Sequence, residues 1–133
     1  PAYEILSGLV GSEMCIRDSS RTYVAVDEQD QPIGYVIVIA EAKDDFRPER
    51  QGFLCDLAVE EDYWGEAVAT ALIQAAEDYV KRMGHEFMML NVSSYNQRAI
   101  NFYHKLGYSN EWIMMGKRLP LENTLKNLDE ELN

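Results

Sequence analysis

Residues 53–92 constrain the fold more than any other part of the chain. The run 53–59 (FLCDLAV) is nearly continuous in apolar residues, interrupted by one acid, Asp56. A strand buried on both faces has that composition. Residues 65–83 then follow a helical period. Val68, Leu72, Ala75, Ala76, Tyr79 and Met83 form one stripe, with Glu77, Asp78, Lys81 and Arg82 mostly off it. Gly84 is placed to end the helix in a left-handed turn, and residues 86–92 (EFMMLNV) read as a second strand. A helix linking two strands of one sheet is a crossover, so the two strands must run parallel.

The flanking segments add antiparallel strands. Residues 23–26 and 33–39 are rich in β-branched and aromatic side chains, and the polar stretch 27–32 between them ends in Pro32. That pattern predicts a hairpin. Residues 43–52 are charged, with Pro48 and Gly52, and predict a loop. Residues 94–106 predict a helix of about three turns. Ser94 and Gln97 could form its capping box, with Gly107 at its end. Residues 111–119 predict a final strand, kinked at Gly116. The leucines at 121, 125, 128 and 132 predict a short amphipathic helix. Helices packed on a mixed sheet make this an α/β protein.

A chain of 133 residues, 47% of them hydrophobic, suits one folded domain. No apolar run approaches the ~18 residues of a membrane span, so no membrane partner is expected. The net charge of -11 argues against nucleic acid and is compatible with cationic partners. Cys15 and Cys55 lack metal-ligand spacing, and a reduced, cytoplasmic setting fits. No set of His, Cys or carboxylates has metal spacing, and no hydrolase triad is evident; His85 and His104 read as loop or surface residues. The chain opens on Pro1, and residues 8–20 (GLVGSEMCIRDSS) have no clear period. They resemble a translated sequencing adapter. A signal peptide would need a basic start, a long apolar stretch and a small-residue cleavage site. Residues 1–20 are therefore expected to be artefactual or truncated, 21–119 the domain, and 120–133 an amphipathic tail.

Two blocks carry a resemblance. "LAVEEDYWGEAVATAL" places a strand end before a turn that opens a long helix. "NQRAINFYHKLGY" places Asn96, Ala99, Tyr103, Gly107 and Tyr108 in a fixed spacing. Together they resemble the GNAT superfamily of N-acetyltransferases over residues 22–119. The resemblance implies a mixed, mostly antiparallel sheet with a central parallel β-α-β pair that splays apart, and helices on both faces. The first strand and first helices would be missing or replaced. It also implies acetyl-CoA as co-substrate, no metal, and a primary amine of a small molecule or protein as acceptor.

The same resemblance assigns site residues. Leu57, Ala58 and Val59 would line the splayed strand, with the Val59 N–H facing the acyl oxygen. Trp64, Gly65, Glu66, Ala67, Val68, Ala69 and Thr70 would cradle the pyrophosphate on main-chain amides at a helix start. Trp64 stands where the family has Arg or Gln, and Ala67 departs from a glycine. Asn96 and Ala99 would lie along the pantetheine arm, and Tyr103 would protonate the leaving thiolate. Asp56 is the one acid in the central strand; burial would raise its pKa toward that of a general base, and a water chain is the alternative. Cys55 should point to the opposite face from Asp56. Other readings are a non-catalytic acyl-CoA-binding module, or self-association through the leucine-bearing tail into a homodimer.

Overall fold

Asp27 turns the chain between its first two long strands. Its Oδ1 accepts from the N–H of Gln29 at 2.8 Å and of Gln31 at 3.0 Å, while Asp30 takes the left-handed conformation at φ 60°. The computed structural model describes residues 2–5, 19–43 and 49–132. Its strands are β1 (Ala2–Ile5), β2 (Ser20–Val26), β3 (Pro32–Ala42), β4 (Gln51–Val59) and β5 (Met88–Leu90). They form one sheet in that order. β1 through β4 pair antiparallel and β4 pairs parallel with β5, as a crossover requires. The edge position expected to be missing or replaced is held by Ala2–Ile5. Residues 6–18, where the artefactual stretch is expected, lie outside the described residues, as do Asp44 and Asp45 of the predicted loop.

The crossover helix α1 (Ala67–Arg82) lies against β2, β3 and β4. Leu72, Ile73, Ala76, Tyr79 and Val80 are its buried residues. Its stripe thus includes Ile73 and Val80, while Met83 is exposed. Full burial of Leu72 or Ile73 contributes about 1.5–3 kcal/mol each. The approach is close enough to dictate two glycines. A Cβ on Gly34 would stand 3.2 Å from Leu72 Cδ1 and 2.9 Å from the Ala58 carbonyl oxygen, and one on Gly52 would stand 2.5 Å from Val80 Cγ2. The last turns of α1 are tied to β2 and its approach. Tyr79 donates its hydroxyl hydrogen to the Ser19 carbonyl at 2.8 Å, and Arg82 Nη2 donates to the Tyr23 hydroxyl at 3.0 Å.

Helix α1 ends as expected at Gly84, φ 87°. The Gly84 N–H donates to the Lys81 carbonyl at 2.9 Å and the His85 N–H to the Val80 carbonyl at 3.2 Å. These paired bonds are the Schellman closure. Helix α2 (Gln97–Lys105) ends the same way at Gly107, φ 96°, with Gly107 donating to His104 and Tyr108 to Tyr103. The tail forms helix α3 (Leu121–Leu132). The chain divides into two units, Pro1–Phe102 and Tyr103–Asn133.

Three expectations change. Residues 109–120 form no helix or strand, and Ile113, Met114 and Met115 are exposed, so the predicted last strand is absent. β composition supplies propensity but no ladder partner. The capping box is replaced by Asn96, whose Oδ1 accepts the Ala99 N–H at 3.1 Å. And β4 is buried only over its first half; Asp56 and Ala58 are exposed.

Candidate functional site

Strand β4 extends well beyond its short parallel partner. Pairing with β5 covers Gly52, Phe53 and Leu54 opposite Met88, Met89 and Leu90, and then stops, while β4 continues to Val59. A bulge sits where that pairing ends. Ile37 pairs with Asp56 and Val38 with Leu54, so Cys55 has no partner across β3. An extra residue bends a strand and steepens its twist. It also breaks the two-residue alternation. Cys55 packs with Tyr35 against Ile37 and Ile39, the face that Asp56 shares through its Ile37 pairing and its bond to Tyr35. The expected opposition of Cys55 and Asp56 is therefore overturned.

The ladder beyond the bulge decides which main-chain groups face the vacated side. Glu60 N–H donates to the Ile33 carbonyl at 2.7 Å. Antiparallel pairs alternate between bonded and non-bonded. Tyr35–Ala58 and Ile37–Asp56 are then bonded pairs, and Gly34–Val59 and Val36–Leu57 are not. The N–H and C=O of Leu57 and Val59 consequently point away from β3. Two of these groups are engaged: the Val59 carbonyl accepts Trp64 Nε1–H at 2.8 Å, and Asp56 Oδ1 accepts the Leu57 N–H at 2.9 Å. The Val59 N–H and the Leu57 carbonyl face the open edge.

The chain runs from Val59 through a short 3-10 turn, Glu61–Tyr63, to the start of α1. The Trp64–Val59 bond closes this connection, so the indole N–H serves inside the loop. Gly65 has φ 138°, where a side chain is strained, and nothing lies within 4 Å of where its Cβ would be. Glu66 is the N-cap residue, exposed, and makes no side-chain cap bond. A helix cannot satisfy its own first amides. Ala67, Val68 and Ala69 therefore present N–H groups at an uncapped, positive helix end. An anion fits there on main-chain donors, with no glycine needed at 67 or 69 to supply an N–H. Thr70 is the first residue to bond back, to Glu66 at 2.9 Å.

The remaining predicted residues divide. Asn96 precedes α2 and Ala99 lies in its first turn; Asn96 Oδ1 accepts the cap bond, and its side-chain NH2 can donate to a ligand. Asp56 is exposed rather than buried; the Tyr35 hydroxyl donates to its Oδ2 at 2.8 Å. The Tyr35 pKa is raised by that bond, by burial and by the carboxylate's charge. Tyr103 opens the second unit, where its ring meets Tyr108 edge-on at 5.8 Å. Two residues were missed from sequence. Arg98 lies with its Cζ 4.8 Å from the Trp64 ring centroid, and Tyr35 reaches Asp56 only through the strand register. Arg98 stands inside the Asn96–Ala99 block, which was the available signal.

Comparisons with known proteins agree on one family. The family model described as "Acetyltransferase (GNAT) family" matches residues 3–108. The chain is 28% identical over 105 residues to an uncharacterised N-acetyltransferase, YdgE, of Bacillus subtilis, covering 77% of this chain and 65% of that one. It is 34% identical over 89 residues to N-alpha-acetyltransferase 30 of Schizosaccharomyces pombe, covering 65% of this chain and 56% of that one. The chain thus spans less than two thirds of these relatives. The aminoglycoside N-acetyltransferase AAC(6')-Iy, solved in complex with CoA, shares the fold with a TM-score of 0.69 at 18% identity, covering 81% of each chain.

Proposed function

The chain belongs to the acetyltransferase (GNAT) family, and from that premise we propose that it moves an acetyl group from acetyl-CoA to a primary amine by direct attack in a ternary complex. It is an acyltransferase by its kinship with named N-acetyltransferases. One observation carries the finer reading: the extension of β4 beyond β5, with an uncapped helix tip after it. A pantetheine arm extends along the vacated side of β4, where the Leu57 carbonyl accepts a strand-like hydrogen bond. The amides of Gly65 and Ala67–Ala69 receive the linked phosphates. That a protein of the same fold is solved in complex with CoA supports CoA as the ligand class.

Bound acetyl-CoA supplies an activated thioester carbonyl. The Val59 N–H stabilises the charge that develops on its oxygen, and the small Ala99 lets the arm close on α2. Asp56 takes a proton from the acceptor's ammonium, directly or through water, and Tyr103 gives one to the departing sulfur. Holding both reactants together supplies much of the acceleration. The acceptor class is a primary amine, in keeping with the relatives named for aminoglycoside and N-alpha transfer. A reduced, cytoplasmic setting completes the reading.

Thermal unfolding with and without acetyl-CoA tests the reading, with adenosine and pantetheine as partial ligands. Acetyl-CoA should raise the midpoint well above either fragment. Turnover is then measured on a panel of primary amines. Absence of any acetyl-CoA stabilisation would overturn the proposal.

A further inference from the structure

We propose that Arg98 is a phosphate-binding residue for coenzyme A, carried on Trp64 to the start of α1, where it supplies the side-chain donor that Trp64 itself cannot. The inference rests on the coenzyme-binding reading above. Trp64 occupies the position at which the family has Arg or Gln, and its one N–H is taken by the Val59 carbonyl at 2.8 Å. That bond holds the indole in place next to the loop. The Arg98 guanidinium lies over the ring at 4.8 Å, a cation–π distance. A guanidinium held at that distance still has a planar fork of N–H donors to offer a ligand. Such a fork suits two phosphate oxygens at once.

The surroundings make this arrangement informative. Glu60, Glu61, Asp62 and Glu66 flank the same turn, in a chain of net charge -11. An exposed arginine among carboxylates commonly pairs with one. Among the described residues, none of the salt bridges involves Arg98. It lies over an exposed tryptophan instead, which stands three residues before the helix amide of Ala67. A polyanionic ligand approaching this end must overcome the acidic field, and a preorganised cation offsets it without competing for the helix amides.

Binding of coenzyme A, 3′-dephospho-coenzyme A and pantetheine is measured by calorimetry on the full chain, at low and high salt, for wild type, Arg98→Ala, Trp64→Leu and the double variant. Arg98→Ala should bind coenzyme A on the order of 10-fold more weakly and with a shallower salt dependence. Pantetheine, which has no pyrophosphate, should be unaffected. A loss for coenzyme A alone assigns the contact to the 3′-phosphate; an equal loss for both nucleotides assigns it to the pyrophosphate; either supports the proposal. The two single losses should fall short of additive in the double variant, because Arg98 acts from Trp64. Equal affinity of wild type and Arg98→Ala, or a loss shared by pantetheine, overturns it. A wild-type chain that binds no coenzyme A overturns the functional reading as well.

Discussion

Tyr35 on β3 donates its phenolic hydrogen to Asp56 on β4 at 2.8 Å, across the ladder and beside the bulge at Cys55. Proton loss from Tyr35 would forfeit that hydrogen bond, leave a phenolate in a partly buried place and set it against the carboxylate's charge, and in that order these raise its pKa. A group whose folded pKa lies above its unfolded value contributes stability that is complete below the unfolded value, near 10 for tyrosine, and is lost as pH climbs through the raised one. Tyr35→Phe should therefore remove a phenol that ionises above the ordinary range in a tyrosinate absorbance titration. It should also flatten the alkaline fall in stability; an unchanged titration would refute the coupling.

Asp56 is proposed as the base, and exposure makes the prediction specific. Asp56→Asn should slow transfer at neutral pH by about 10²-fold. The deficit should shrink as pH rises toward the acceptor amine's own pKa, since a free amine needs no base. A deficit constant across pH would instead mark Asp56 as a residue that holds the acceptor.

Tyr103 is proposed as the acid. Tyr103→Phe should lower the rate by about 10²-fold while leaving acetyl-CoA affinity nearly intact. Single-turnover kinetics and calorimetry separate the two effects. Equal rates would remove the phenol from the mechanism.

The glycines under and after α1 should respond for different reasons. Gly52→Ala places a methyl 2.5 Å from Val80 Cγ2 and should cost about 1–3 kcal/mol through overpacking. Gly84→Ala meets nothing within 4 Å and should cost only the strain of a left-handed φ, about 1 kcal/mol. Urea denaturation of both measures the contrast, which similar losses would contradict.

Much of the frame follows from local pattern. The α1 stripe, the turn at Asp27, the left-handed closures at Gly84 and Gly107 and the α3 leucines each depend on neighbours a few residues away, where periodicity and φ preference act. The order of strands around α1 follows too, because a helical crossover admits only a parallel return.

Pairing across the sheet decided the rest. Counting by twos sent Cys55 and Asp56 to opposite faces, and the bulge, visible only in the register, brought them to one. The sequence reading placed the cap at Ser94, and backbone geometry put it at Asn96. Residues 111–119 have strand composition but no ladder, since propensity cannot supply a partner. Trp64 was legible only as a departure from the Arg or Gln of the resemblance; the fold brought the Val59 carbonyl to its N–H and Arg98 over its ring. Local chemistry named the elements; hydrogen-bond register between distant segments chose which backbone amides were left to meet a ligand.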